Sequence, residues 1–169
     1  MAGTYTLGNT GIKGFDEVMR NLNAEIVKIK GRTMQGLIKA AIDIRRDMAH
    51  TPPLIPIKTG NLRASWFVVT AKGVESKPPV FSNAEKGAAK VQESYDATVA
   101  EAQSFVASSS KDNPFLVMGF GANYTMPVHE RIGDVDWSKA NTGPKFFERA
   151  LKRRKDAVLK IIRDNAQIR

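Results

Sequence analysis

His129-Glu130 comes closest to a catalytic signature in this chain. A zinc-protease helix needs a second histidine four residues after the first, so that both imidazoles share one face. Position 133 is glycine, and the other histidine is His50. A histidine-based metal site is therefore not expected. Ser65, His129 and a nearby aspartate outline an acyl-transfer triad, yet no glycine elbow surrounds the serine. Glu130, Asp134 and Asp136 could act as paired carboxylates. Beside Arg131, in a polar stretch, they read more simply as solvated or ion-paired acids. Asp134, Asp136 and Ser138 alternate as in a calcium loop, but Lys139 stands where glycine belongs and Lys145 where the bidentate glutamate belongs. Gly119-Phe120-Gly121 lacks the third glycine of a dinucleotide fingerprint, and Gly143-Pro144-Lys145 lacks the Ser or Thr of a phosphate-binding loop. The absence of cysteine excludes disulfides, thiolate nucleophiles and cysteine zinc sites. These residues predict no catalytic residue, no cofactor-binding residue and no metal ligand, and the chain reads as a non-enzyme.

Charge is the more informative chemistry. The formal net charge is +9, and residues 145–169 hold nine Lys/Arg against three Asp/Glu. Such a segment favours an anionic partner, either nucleic acid or an acidic protein surface. The candidate contacts are Lys152, Arg153, Lys155, Lys160 and Arg163, with Arg154 beside them. The plain alternative is a solvated helix face. Trp66, Trp137 and Tyr124 could stack on bases next to these cations. Trp66 lies within an apolar run, however, and a core or subunit-contact role accounts for it better.

The elements that must position these residues follow from hydrophobic spacing. Phe15, Val18, Met19, Leu22, Ile26 and Ile29, then Leu37, Ile38, Ala41, Ile44 and Met48, recur at three- and four-residue steps. They predict a helix over 15–50, with a kink or break near Gly31 and Gly36. Unbroken, it would run about 54 Å, longer than a small domain is wide, and would project or pack on a neighbouring subunit. Pro52 and Pro53 end it. Thr59-Gly60-Asn61 predicts a turn with positive φ at Gly60. Residues 64–71, 115–120 and 124–129 are expected as strands, the last with Pro127 at an edge. A weakly amphipathic, alanine-rich helix is expected within 83–106. A final helix over 143–166 is expected to take Asn141 or Thr142 as cap and Pro144 in its first turn. The expected fold is α+β: a small antiparallel sheet of three to five strands packed by the first and last helices. One domain spans 1–169. No run is long and apolar enough to cross a membrane, and Met1–Gly14 holds no apolar leader core.

Four segments in order carry a resemblance: "GFDEVMRNL" (Gly14–Leu22), "TGNLRAS" (Thr59–Ser65), "YTMPVHE" (Tyr124–Glu130) and "GPKFFERAL" (Gly143–Leu151). Their order and spacing resemble the neck and tail-completion proteins of long-tailed bacteriophages. The resemblance covers residues around 14–72 and 114–166. It implies that the second segment starts a long strand, the third ends a later strand, and the fourth opens the last helix. It leaves out 74–112, expected to be a helical insertion that serves assembly and stays outside the core.

The family is structural, so the resemblance transfers no catalytic residues. It implies a virion protein that forms a homo-oligomeric ring at the head–tail junction. Its partners would be copies of itself, a connector or head-closure ring, and a tail terminator, with passive contact to packaged DNA and none to a membrane. The implied location is the virion neck or tail top, after synthesis in the host bacterial cytoplasm. The alternative is a basic nucleic-acid-binding protein that uses the C-terminal helix.

Overall fold

The computed structural model describes residues 15–83, 87–109, 113–131, 137 and 139–167. The chain runs through α1 (Phe15–His50), α2 (Asn61–Ala64), β1 (Trp66–Thr70), β2 (Gly73–Val74), α3 (Ala88–Ser109), β3 (Leu116–Phe120), α4 (Thr125–Glu130) and α5 (Phe146–Ala166). The three strands form one antiparallel sheet in the order β2-β1-β3. The fold is α+β, as the sequence predicts.

Successive β1 side chains point to opposite faces, and this alternation builds two cores. Phe67 and Val69 face α3, where they meet Tyr95, Val99, Ala102 and Val106. Trp66 faces α1 and α5 and packs edge-on against Phe120 and Phe147. The core on that side holds Ile44, Met48, Ile55, Leu62, Phe146 and Ala150. The register Trp66↔Phe120 and Val69↔Val117 aligns the two strands so that both faces are filled. The turn before β1 forms as expected, with Gly60 at φ 90. Val and Ile resist that backbone region, which glycine enters freely.

The expectation that 74–112 lies outside the core fails. Val91, Tyr95, Val99, Ala102 and Val106 of α3 are all buried; the last four cover one face of the sheet, and Val91 joins the core on the α1/α5 side. The small residues that make the helix look weak in sequence allow close approach to the strands. Gly121 serves the same packing: a Cβ there would fall 2.8 Å from the Tyr95 Cα.

The expected break in α1 is also absent, since the helix is continuous from Phe15 to His50. Gly31 faces open space, whereas Gly36 lies where α5 crosses. A Cβ at Gly36 would sit 3.1 Å from the Ile162 Cα and 3.2 Å from the Asn165 Cβ. Glycine there costs helix propensity but permits a close interhelical contact.

The expected strand over 124–129 is a short helix, α4. Gly121 turns the chain out of β3 by donating to the Ser65 carbonyl at 2.9 Å. The Thr125 backbone N–H and hydroxyl then both donate to the Ala122 carbonyl. Pro127 falls in the first turn, where its missing N–H has no intrahelical partner to lose. The segment "YTMPVHE" therefore does not end a strand in this chain, contrary to what the resemblance implies.

The start of α5 differs as well. Asn141 and Lys145 both have positive φ, and Lys145 is the residue that caps the helix, in place of Asn141 or Thr142. Pro144 precedes the helix. The Lys145 backbone N–H donates to the His129 carbonyl at 2.8 Å, so α4 fixes where α5 begins. A parallel bridge between Leu54 and Thr142 ties the segment before β1 to the same junction.

Candidate functional site

The basic helix was the sequence's candidate, and α5 does present one amphipathic face to the core and one to solvent. Phe146 and Ala150 are buried, and Val158 packs against the same cluster. The cations divide into three groups. Arg154 makes a two-point contact with Asp43 of α1, Nε to Oδ2 at 2.7 Å and Nη2 to Oδ1 at 2.9 Å. The Asp43 carboxylate holds this guanidinium above its ordinary pKa. Arg153 donates its Nε to Asp47 Oδ2 at 3.1 Å and its Nη1 to the Pro52 carbonyl at 3.1 Å. It therefore clamps α5 onto the C-terminal end of α1, where unpaired carbonyls attract a cation.

Lys152 and Lys160 make short-range pairs on the helix surface, with Glu148 and Asp164. Exposed pairs of this kind contribute little to stability. Lys155 and Arg163 are exposed and form no ion pair among the described residues. The array expected from sequence thus loses Arg153 and Arg154 to the fold. It keeps Lys152, Lys155, Lys160 and Arg163 outward, beside the half-exposed Leu159.

A second surface is apolar. The helix crossing at Gly36, together with the Lys39–Asn165 hydrogen bond, brings the end of α5 beside the middle of α1. The N-terminal part of α1 runs on without it. Val18 is 63% exposed, Leu22 52% and Val27 68%, with Ile26 also open. Val18, Leu22 and Ile26 are four residues apart and form one stripe. Sequence periodicity showed this stripe, but could not tell that its lower half meets α5 and its upper half meets nothing in the described fold.

The titratable groups near α4 are structural in character. His129 Nδ1 and Glu130 Oε1 are 2.7 Å apart, and Lys145 pairs with the other Glu130 oxygen. The Lys145 hydrogen bond, and then that of His129, holds the Glu130 carboxyl below its usual range. The same partner raises Lys145. The His129 ring packs edge-on against Phe146, centroids 5.0 Å apart. Ser65 donates its hydroxyl to the Leu62 carbonyl at 2.8 Å, so it is engaged away from any triad. Asp134, Asp136 and Ser138 lie outside the described residues. Among the described residues, no cluster of three or more His, Asp or Glu could hold a metal ion.

Arg45 is a cation that the sequence did not single out. Its guanidinium lies 5.9 Å from the centroids of both Trp66 and Phe120 and donates to the Arg63 carbonyl. Burial, then the neighbouring Arg63, pushes it down to about 10, still charged at neutral pH. Trp66 is partly buried, with its ring engaged by Arg45, Phe120 and Phe147.

A cleft of about 660 Å³ opens between the turn at Gly60, the start of α3 and α4. Asn61 spans one wall, with its side chain paired in both directions to the Ser82 backbone. Lys90, Arg131 and Trp137 also line it. No described helix is long and apolar enough to cross a membrane. Comparison with protein-family models, with curated proteins and with solved structures finds no match.

Proposed function

We propose that this protein is a structural component of a tailed-bacteriophage virion, a neck or tail-completion subunit that assembles as a ring at the head–tail junction. The observation that carries the reading is the open half of α1. A helix of 36 residues extends past the helix it packs on and leaves Val18, Leu22, Ile26 and Val27 in solvent. Apolar stripes of this kind are characteristic of surfaces covered on assembly. The order of the four sequence segments supports the same reading, apart from two strand assignments: "YTMPVHE" forms α4, and "TGNLRAS" forms a turn and the short helix α2 before a five-residue β1. The proposed neighbours are a connector or head-closure ring on one side and a tail terminator on the other. The outward cations Lys152, Lys155, Lys160 and Arg163 would meet an acidic surface of one of them, where charge complementarity fixes docking register.

The test is an amber allele of the gene in the phage that encodes it. Filled heads and complete tails, unjoined, are the expected products. Normal infectious particles would overturn the reading. Tight binding of duplex by the purified protein, with a steep salt dependence, would favour a nucleic-acid-binding role for α5 instead.

A further inference from the structure

We propose that the open stripe of α1 docks onto α3 of the next copy, so that the subunit contact is head-to-tail. The inference rests on the ring reading but concerns a contact that reading leaves unspecified.

The receiving surface is a groove of about 540 Å³ between α3 and β3, lined by Phe67, Thr98, Glu101, Ala102, Phe105 and Val117. Phe105 stands at its rim, 54% exposed, edge-on to Phe115. Beyond it, β3 is an edge strand, paired on one side by β1. Both surfaces hold large apolar side chains in the open: Phe105 at the groove's rim, and Val18, Leu22 and Ile26 along the stripe. They lie on different elements on opposite sides of the sheet. A contact between them joins unlike surfaces, and repetition of such a contact gives a ring or a filament, never a closed two-fold pair.

Charge matches the two surfaces. α3 carries Glu93, Asp96 and Glu101 against Lys90. The stripe lies among Arg20, Lys28, Lys30 and Arg32 against Asp16, Glu17 and Glu25, with Lys28 paired to Glu25. Length matches as well: the α1 residues above Gly31 span about 24 Å, and the 22 residues of α3 span about 33 Å. Pairing two stripes with each other would bury apolar surface too, but it would leave the groove and the α3 acids uncovered.

The absence of native cysteine makes cross-linking direct. Leu22→Cys and Phe105→Cys are made separately, at exposed positions, with circular dichroism as the check on folding. Mixing the two under mild oxidation is expected to give a covalent dimer that neither variant gives alone. The double variant is expected to give a ladder of oligomers. Glu101→Lys is expected to cut the cross-linking yield severalfold, and Lys28→Glu with Lys30→Glu in the partner copy to restore it. Cross-linking of Leu22→Cys to itself alone, or no cross-link in the mixture, would overturn the proposal. So would a yield indifferent to Glu101→Lys. The two ideas fail separately: a cross-linking ladder from a protein dispensable for head–tail joining would refute only the neck assignment. Unjoined particles without the ladder would refute only the contact.

Discussion

The two halves of α1 have similar periodicity and opposite fates. From Gly36 to His50 the helix lies against α5, with Asp43 and Asp47 holding Arg154 and Arg153 and with Ile44 and Met48 buried. From Glu17 to Gly31 the same kind of stripe is open. A helix face is not intrinsically core or interface; what it meets decides. In the packed half, polar partners surround the apolar contact and fix its register. In the open half, Val18, Leu22 and Ile26 lack any such frame among the described residues, and the proposed assembly places a second molecule there.

The contrast can be broken at several points. The largest effect is expected from replacing α3 (88–109) with a short flexible linker. Phe67 and Val69 would lose the cover that Tyr95, Val99 and Val106 provide, and cooperative thermal unfolding is expected to disappear. A cooperative transition in calorimetry would show that the α1/α5 side alone sustains the fold.

Phe146→Ala comes next. Its side chain is fully buried against Phe120 and His129, and truncation of a core Phe costs about 3–5 kcal/mol. Urea unfolding measures it; a change under about 1 kcal/mol would mean that the packed half is looser than described.

Glycine substitutions compare the halves most directly. Gly36→Val pushes α5 away at its crossing and is expected to destabilise by about 1–3 kcal/mol. Gly31→Ala meets nothing within 4 Å and is expected to stabilise by up to about 1 kcal/mol through helix propensity. Equal melting temperatures for these two variants would erase the distinction between the halves. In the open half, Leu22→Ser with Ile26→Ser is expected to change stability by under about 1 kcal/mol, since both side chains are exposed in the subunit. The same pair is expected to reduce self-association in sedimentation velocity.

The smallest effect is electrostatic. Glu130 has a folded pKa below its unfolded value, through Lys145 and then His129. Its contribution is present above the unfolded carboxylate pKa of about 4.3 and is lost as pH falls through the lower folded value. Glu130→Gln is expected to flatten the acid limb of the stability profile slightly. An unchanged slope between pH 5 and 3, measured by chemical denaturation, would show that the contact contributes nothing.

Local chemistry made much of this molecule legible in its sequence. Three- and four-residue spacing marked α1, α3 and α5; β-branched and aromatic runs marked β1 and β3; Thr59-Gly60-Asn61 marked a turn with positive φ at its glycine. These features depend on a few consecutive residues, so no knowledge of neighbours is needed to see them. The run "YTMPVH" misled for the same reason. Its composition favours a strand, but Gly121 and the Thr125 hydroxyl turn it into a helix, and among the described residues no strand pairs with it.

The tertiary structure decided everything that depends on which faces meet. Gly36 read as a helix breaker until α5 was found against it. The small residues of α3 read as a poor core until the sheet was found beneath them. Arg154 and Asp43 are 111 residues apart, so the excess charge of the last segment looked free when part of it was already neutralised. Spacing along a chain reports what a residue is suited to touch. Only the assembled layers settle what it touches, because burial and ion pairing are properties of two surfaces and the sequence shows each one alone.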